Sequence, residues 1–197
     1  KWMLSANGTI FTYEYEAIIP GLLKRWYEER QEMQRKMREC GDNEIEREYW
    51  DKRQLVKKIN LNSLYGAILN PGCRFFDMRI GQSVTLTGRC ITKHMASKVN
   101  EIVTGEYDHK GESIVYGDTD SVYFSAYKTL QKEIKDGLIP WTKDSVVGLY
   151  DKISEEVNSS FKSFMTKAFH TPATRGEVIA AGRELVASKG LFITKKR

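Results

Sequence analysis

Two long charged segments joined by a short turn constrain the fold of this sequence more than any other feature. Residues 20–40 and 44–69 both have helical patterns, and Pro20 stands at a first helical position, where its missing N–H is harmless. Gly41-Asp42-Asn43 separates the two segments, and Asn70-Pro71-Gly72 ends the second one. We therefore predict an antiparallel helical hairpin. Because it is so highly charged, we expect it to project from the body of the protein.

The rest of the chain alternates between short strand patterns and longer helical patterns, with no internal repeat or Pro/Ser-rich linker. Removing the helical hairpin leaves an α+β body, in which helices pack against a sheet. The predicted elements of this body are strands over 8–13, 74–79, 176–181 and 190–194, a β-hairpin over 113–124, and helices over 82–104 and 144–169.

The composition is that of a globular protein, because 41% of the 197 residues are hydrophobic and 29% are charged. No apolar run approaches the roughly 20 residues that a membrane-spanning helix needs, and the first residues do not form a signal peptide. The three cysteines and three histidines are scattered along the chain. This spacing is against a disulfide framework or a zinc site and favours a reducing compartment.

Positive charge is concentrated towards the end of the chain, and the formal net charge is +5. This end of the chain is either a surface for a polyanion or an ordinary solvated basic face. From residue 167 onwards the basic residues are Lys167, Arg175, Arg183, Lys189, Lys195, Lys196 and Arg197, and the acidic residues are Glu177 and Glu184.

The sharpest local pattern is the acidic turn Tyr116-Gly117-Asp118-Thr119-Asp120-Ser121 inside the predicted β-hairpin. Apolar, β-prone residues flank it, so Asp118 and Asp120 are predicted at the hairpin tip. Two carboxylates this close repel each other unless a cation neutralises them. The turn is therefore either an ordinary solvated turn or a site for Mg²⁺, which prefers carboxylate and phosphate oxygens.

A second pattern lies on the second helix of the predicted hairpin, within Lys57-Lys58-Ile59-Asn60-Leu61-Asn62-Ser63-Leu64-Tyr65-Gly66. At about 100° per residue, Lys58, Asn62 and Tyr65 fall within an arc of about 60° on one face. This face offers a cation, an amide and an aromatic ring, which suit a triphosphate and a base. The alternative is a solvated helix face with a half-buried tyrosine.

The two patterns together resemble DNA polymerases of family B, and most closely those of T4-like bacteriophages. The stretch KKINLNSLYGAILN is similar to the fingers motif of that family, and YGDTDS is similar to its catalytic palm motif. The resemblance implies an α+β fold, in which a palm-type antiparallel sheet with packed helices carries an inserted helical hairpin. It assigns residues 1–16 and 71–197 to the palm and residues 17–70 to the fingers.

The resemblance also implies roles for individual residues. Asp120 would bind two catalytic Mg²⁺ ions, with Asp118 as its acidic neighbour. In the fingers, Arg30, Lys58 and Asn62 would bind the phosphates of the incoming nucleotide. Tyr65 would pack beside the nascent base pair, and Gly66 would leave room for the template. The further implied residues are Glu177 as an acid near the metals, and Lys195, Lys196 and Arg197 as contacts to the primer–template DNA.

The activity implied for a complete enzyme is template-directed nucleotidyl transfer from a dNTP to a primer 3′-OH. The family brings a further metal-binding aspartate from a motif upstream of the fingers, but the only acids of residues 1–19 are Glu14 and Glu16. We therefore expect the isolated chain, as a fragment or as one part of a split enzyme, to be inactive. The alternatives are a non-catalytic nucleic-acid-binding module and another two-metal nucleotidyl transferase.

The resemblance further implies partners and a location. The partners are primer–template DNA, a dNTP, and the N-terminal, exonuclease and thumb parts of a polymerase, with a sliding clamp as an optional addition; no membrane is implied. The location implied is the cytoplasm of an infected bacterial host.

Overall fold

The computed structural model describes residues 1–192 and contains two compact units, Lys1–Leu86 and a second unit that begins at Thr87. The predicted α+β class is confirmed, since long helices accompany antiparallel strands. Among the described residues, the strands form two separate two-stranded sheets. Within residues 1–192, no helix is both long enough and apolar enough to cross a membrane.

The first unit opens with a small β-hairpin. Strands β1 (Trp2–Leu4) and β2 (Ile10–Thr12) pair antiparallel, with Met3 opposite Phe11. The connecting turn passes through Gly8, whose φ of 82° lies in the left-handed region that glycine adopts without strain. The strand predicted over 8–13 is therefore present as β2, whereas its partner β1 was not predicted.

The predicted helical hairpin is present as α1 (Ile18–Glu39) and α2 (Glu44–Ile68). The turn between them contains Gly41, which has a φ of 54°. The side chain of Asn43 then caps α2 by accepting a hydrogen bond from the backbone N–H of Glu46 at 3.2 Å. These local features, all visible in the sequence, explain why the predicted boundaries agree with the structure to within about two residues.

Polar contacts join α1 to α2 along one face of each helix. The ion pair from Lys57 lowers the pKa of Glu29, chiefly through the hydrogen bond between the two side chains. The contacts are Glu29 with Lys57, Arg30 Nε with Gln54 Oε1 at 3.2 Å, and the ammonium of Lys36 over the ring of Trp50 at 4.6 Å.

The strand predicted over residues 74–79 is wrong. Residues 70–77 form turns, and α3 (Met78–Thr104) begins inside the predicted strand. The reason is Asp77, whose carboxylate accepts a hydrogen bond from the backbone N–H of Arg79 at 2.9 Å and so caps the first turn of the helix. The cap starts α3 four residues before the predicted position. This helix begins in the first unit and ends in the second.

The second unit is built around a buried contact between α3 and α5 (Lys143–Phe169). Its core residues are Val99 of α3 and three α5 residues one helical turn apart, Ile153, Val157 and Phe161. The remaining elements are β3 (Ile114–Asp118), β4 (Ser121–Phe124), α4 (Gln131–Lys135) and α6 (Ala173–Gly176), of which the two short helices were not predicted.

The strand predicted over 176–181 is also wrong. The backbone of Ala181 is bonded by a side chain instead of a neighbouring strand: its N–H donates to Asn158 Oδ1 at 2.7 Å, and its carbonyl accepts from Asn158 Nδ2 at 2.9 Å. The amide of Asn158 thus satisfies the backbone groups that a strand partner would satisfy. Of the strand predicted over 190–194, residues 190–192 are not in a strand, and the remainder lies outside the described residues.

A buried histidine lies between α3 and α5. The ring of His94 stacks on Phe164 with a centroid distance of 3.9 Å. Its Nδ1 lies 2.7 Å from the hydroxyl of Tyr107, and its Nε2 lies 3.0 Å from Ser160 Oγ. Because the hydroxyl of Ser160 itself donates to the carbonyl of Val157, it accepts from the imidazole, which fits a neutral ring protonated on Nε2.

We expect the stability of the chain to fall in mild acid because of His94. Burial, and secondly Lys98, lower the pKa of this histidine below its ordinary value of 6.5, while Glu101 opposes the shift. As the pH falls, the histidine of the unfolded chain therefore takes up its proton first. The stabilisation that neutral His94 gives the folded state is complete above about pH 6.5, and it decreases as the pH falls from there towards the lower pKa of the folded state.

Urea unfolding at about pH 7.5 and about pH 5.5 measures this effect. His94→Gln, whose amide keeps hydrogen-bonding groups but does not titrate, is expected to show a smaller loss of stability between the two conditions than the parent chain. His109→Gln, at a more exposed position beside Asp108, is the matched control and should retain the full loss. Equal losses in all three proteins would contradict the assignment to His94.

Candidate functional site

The acidic turn forms the tip of a β-hairpin, as predicted. Strand β3 pairs antiparallel with β4, and Asp118 lies directly opposite Ser121. Only Thr119 and Asp120 connect the strands, so the flanking residues of the predicted acidic turn, Tyr116 to Asp118 and Ser121, belong to the strands. Asp118 is the last residue of β3 and Asp120 lies in the connection, and both are exposed. The hairpin therefore presents two carboxylates to solvent from a backbone that is fixed on both sides.

Local hydrogen bonds hold the conformation of this tip. The hydroxyl of Thr119 donates to Asp118 Oδ1 at 3.2 Å, and the hydroxyl of Ser121 donates to the backbone carbonyl of Asp118 at 3.1 Å. Thr119 has a φ of 44°, which is unusual for a β-branched residue. Strained backbone of this kind occurs preferentially at functional sites.

The tip has the chemistry of a partial site for a hard divalent cation. Carboxylate oxygens are the protein ligands that Mg²⁺ prefers, and one or two of them commonly combine with substrate phosphates and water. Within residues 1–192 no group of three or more His, Cys, Asp or Glu side chains is arranged to hold a metal. The two carboxylates of the tip are thus of a type that suits Mg²⁺, while the described residues do not complete a site around such an ion.

The base of the acidic hairpin is anchored to α3 by a buried asparagine. Asn100 is 1% exposed, and its Oδ1 accepts from both the N–H and the hydroxyl of Ser113, at 3.2 and 2.7 Å. Its Nδ2 donates to the carbonyl of Glu106 at 2.8 Å. Gly111 makes room for this side chain, because a Cβ there would lie 2.0 Å from Asn100 Nδ2. The side-chain amide of Asn100 thus joins the loop before β3 to helix α3.

Replacing Asn100 by alanine is expected to destabilise the chain by about 3 kcal/mol, because it leaves several buried polar groups without partners. Urea unfolding measures the change. Asn62→Ala, at an exposed helix position, is the matched control and should change the free energy of unfolding by no more than about 0.5 kcal/mol. Equal effects of the two substitutions would show that the Asn100 network contributes nothing to stability.

The second predicted group of residues, Lys58, Asn62 and Tyr65, lies on one face of α2. Gln54, which contacts Arg30 of α1, lies one turn before Lys58 on the same side of the helix. Lys58 and Asn62 are exposed, and their side chains form no hydrogen bond or ion pair within the described residues. The structure therefore brings the cation, the amide and the aromatic ring together on one helix surface, as the spacing indicated.

Tyr65 is held in place by the beginning of α3. Its hydroxyl donates to the carbonyl of Gly81 at 3.2 Å. Gly81 is buried, and a Cβ at this position would lie 1.9 Å from Leu69 Cδ2. The close approach of Gly81 to the end of α2 therefore depends on the absence of a side chain, and this approach brings the acceptor to Tyr65.

The two other residues of the predicted nucleotide site also lie in the first unit. Arg30 is half-buried on α1 and its Nε donates to Gln54 Oε1 at 3.2 Å. No other hydrogen bond of its guanidinium is found within residues 1–192. Gly66 is exposed, and a Cβ added there would have no atom within 4 Å. Within the first unit, the space that a side chain at Gly66 would begin to fill is thus empty of other atoms.

The remaining predicted residues lie towards the end of the chain. Glu177 follows α6, and its carboxylate is 2.5 Å from the ammonium of Lys162. Its role near the metals stays a prediction. Lys195, Lys196 and Arg197, predicted as DNA contacts, lie outside the described residues.

The residues that position the predicted ones have no distinctive signature in the sequence. Asn100, Gly111 and Gly81 occupy positions where an asparagine or a glycine is unremarkable in a sequence, and their contacts come from residues 6 to 16 positions away. The only available signal was Gly81 itself, because a glycine near the start of a long helix is unfavourable unless close packing requires it.

The fold and the site define an α+β protein with a long helical hairpin and a β-hairpin that carries two acids at its tip. The sequence matches the model of DNA polymerase family B over residues 4–165. It is also 40% identical over 80 residues to the DNA-directed DNA polymerase of Escherichia phage RB69, covering 40% of this chain and 9% of that protein.

Two further relatives extend this comparison. The DNA-directed DNA polymerase of Enterobacteria phage T4 is 40% identical over 82 residues, which cover 40% of this chain and 9% of that protein. The DNA polymerase of Pyrococcus glycovorans is 29% identical over 194 residues, which cover 94% of this chain and 23% of that protein. The chain therefore belongs to DNA polymerase family B, and it spans about a tenth to a quarter of the length of these relatives.

Proposed function

We propose that the chain forms the catalytic centre of a DNA-directed DNA polymerase, which transfers a nucleotide from a dNTP to a primer 3′-OH under the direction of a template. The observation that carries this proposal is the fixed hairpin tip with its two exposed carboxylates, Asp118 and Asp120, in a chain of family B. In this proposal residues 17–70 are the fingers, and residues 1–16 and 71–197 are the palm.

Asp120 and Asp118 would hold two Mg²⁺ ions together with substrate oxygens and a further carboxylate from outside the described site. When bound, these ions supply Lewis acidity and offset the charge of the attacking and leaving oxygens. The chain itself would contribute two carboxylates on a backbone that hydrogen bonds restrain, both within the tip and from α3. A fixed arrangement matters because phosphoryl transfer depends mainly on positioning and charge neutralisation.

The fingers residues would bind the nucleotide. Lys58 has an unpaired ammonium and Arg30 has two terminal nitrogens free of hydrogen bonds within the described chain, so both can neutralise a triphosphate. Asn62 would donate hydrogen bonds to it, and Tyr65 would lie against the nascent base pair. Gly66 would leave space for the template strand. Glu177 would act near the metals, and Lys195, Lys196 and Arg197 would contact the primer–template DNA.

The proposed partners are primer–template DNA, a dNTP and the other parts of a polymerase, including N-terminal, exonuclease and thumb regions. A sliding clamp is a further proposed partner. Because two of the relatives are phage proteins, the cytoplasm of an infected bacterium is the proposed place of action. The 197 residues alone are not expected to extend a primer, because two carboxylates are too few for a complete two-metal site.

Primer extension tests the proposal in two proteins. The first is the chain by itself, and the second is a chimera in which the chain replaces the matching segment of the Pyrococcus glycovorans polymerase, with which it aligns over 94% of its length. We expect no extension by the chain and template-dependent extension by the chimera, with dependence on Mg²⁺. The unmodified Pyrococcus enzyme is the positive control for the assay.

A folded chimera that binds DNA without extending primers would contradict the proposal. If that binding were sensitive to salt but indifferent to Mg²⁺ and dNTP, a non-catalytic nucleic-acid-binding module would be the better description. Circular dichroism establishes that the chimera is folded, so that misfolding is not mistaken for absence of activity.

A further inference from the structure

Thr92, on the face of α3 that meets the acidic hairpin, makes a contact that an isolated helix would not provide. Its hydroxyl lies 3.1 Å from the carbonyl of Gly88, the usual acceptor one turn earlier. It lies closer, at 2.9 Å, to the carbonyl of Thr119 in the hairpin tip. A helix residue 27 positions earlier in the sequence is therefore bonded to the residue that separates the two acids.

The carbonyl that Thr92 contacts influences the orientation of the second of these acids, Asp120. The peptide bond is planar, so the carbonyl of Thr119 and the N–H of Asp120 are parts of one rigid group. A hydrogen bond to this carbonyl consequently fixes the plane from which Asp120 begins. The direction of the Asp120 side chain depends on that plane, because its Cα belongs to the same group.

The conformation of Thr119 shows why such a restraint is needed. A β-branched residue with a φ of 44° is strained, and conformations of this kind persist only where the surrounding structure imposes them. Within residues 1–192, two side-chain hydrogen bonds act on Thr119, one from its own hydroxyl to Asp118 and one from Thr92 to its carbonyl. The second of these comes from outside the hairpin.

We propose that Thr92 is a positioning residue of the metal site, whose hydroxyl fixes the Thr119–Asp120 peptide and thereby aims the carboxylate of Asp120 relative to that of Asp118. This inference rests on the proposed function, because it assigns Asp118 and Asp120 to cation binding. Thr92 itself is not a ligand in this proposal, and it acts only through the backbone of the tip.

Mn²⁺ binding to the 197-residue chain tests the inference without requiring catalysis. The ion is paramagnetic, so it broadens the backbone amide signals of Asp118 to Ser121 in a nitrogen-15 spectrum as it binds. Thr92→Val keeps the shape of the side chain but removes the hydroxyl. We expect it to raise the Mn²⁺ concentration for half-maximal broadening by about twofold to tenfold, the range that corresponds to one hydrogen bond of ordinary net strength.

Three further variants separate positioning from general damage. Thr92→Ser keeps the hydroxyl and should bind Mn²⁺ within about twofold of the parent chain. Thr85→Val removes a hydroxyl of α3 whose hydrogen bonds within residues 1–192 are to carbonyls of its own helix, and its Mn²⁺ binding should also be within about twofold of the parent chain. Asp120→Asn removes a proposed ligand and should abolish the broadening.

The carbonyl carbon-13 shift of Thr119 gives a second measurement, independent of the metal. It is expected to change in Thr92→Val and to stay close to the parent value in Thr92→Ser, while the amide signals of the core residues Val99 and Val157 keep their positions. If Thr92→Val binds Mn²⁺ like the parent chain while Asp120→Asn does not bind, the role of Thr92 is refuted and the metal site stands. If Asp120→Asn binds Mn²⁺ as well as the parent chain, the proposed metal site itself is refuted.

Discussion

Replacing Asp120 by asparagine in the chimeric polymerase is expected to reduce the rate of primer extension by about 10³-fold or more. The substitution keeps the size of the side chain and removes the charge that would hold a divalent cation. Metal ions contribute several kcal/mol of charge stabilisation in the transition state, and each 1.36 kcal/mol corresponds to about a factor of ten in rate. Single-turnover primer extension, with saturating dNTP and Mg²⁺, measures the effect.

The neighbouring acid is expected to be less important. Asp118 ends a strand and accepts a hydrogen bond from Thr119, so Asp118→Asn should reduce the rate by a smaller factor than Asp120→Asn. Asp136→Asn provides the matched control, since it removes an exposed aspartate that the proposal does not use. Extension by the Asp120→Asn chimera at a rate near that of its parent would refute the catalytic assignment.

A large effect on stability, close to that of Asn100→Ala, is expected from Gly81→Ala. An added Cβ would lie 1.9 Å from Cδ2 and 2.8 Å from Cγ of Leu69, so one of the two chain segments has to move. Overpacking of a buried position costs about 1–3 kcal/mol, and the buried position of Gly81 places this substitution near the upper end. The displacement would also separate the Gly81 carbonyl from the hydroxyl of Tyr65. Urea unfolding of the 197-residue chain measures the change.

Two companion variants identify the clash as the cause. Adding Leu69→Ala removes the atoms that the new Cβ would meet, so the double variant should be less destabilised than the sum of the two single variants. Gly88→Ala, on the same helix with no atom within 4 Å of its added Cβ, should stabilise the chain by about 0.5–1 kcal/mol. Additive losses in the double variant would mean that the contact between Gly81 and Leu69 does not limit the packing.

The helical hairpin could be predicted from the sequence because its signals are local. A helical period, a turn containing Gly41 and Asn43, and the stop after residue 69 together determine α1 and α2 almost to the residue. The strand predicted over 74–79 was wrong because the carboxylate of Asp77 caps the first turn of α3 inside that range. The strand predicted over 176–181 was wrong because its backbone partner is the side chain of Asn158, about 20 residues away.

In the candidate site, too, some residues could be predicted from local patterns and others could not. Asp118, Asp120, Lys58, Asn62 and Tyr65 carry functional groups at informative spacings, so the sequence identifies them and the structure places them at a hairpin tip and on one helix face. The residues that hold them, such as Asn100 and Gly81, act through contacts that no local pattern reveals. A helical asparagine has the same appearance in a sequence whether it is solvated or, like Asn100, 1% exposed.

The attachment of the acidic hairpin to α3 limits how this motif can be transplanted. The six residues of the tip do not encode their own geometry, because Thr92 bonds to the tip and Asn100 closes the loop at its base. A protein designer who moved only the tip into another scaffold would leave those supports behind. The smallest unit that can be transplanted is instead the continuous stretch from about residue 88 to residue 124. Amino-acid changes within this stretch should be limited by the contacts that its residues make with one another.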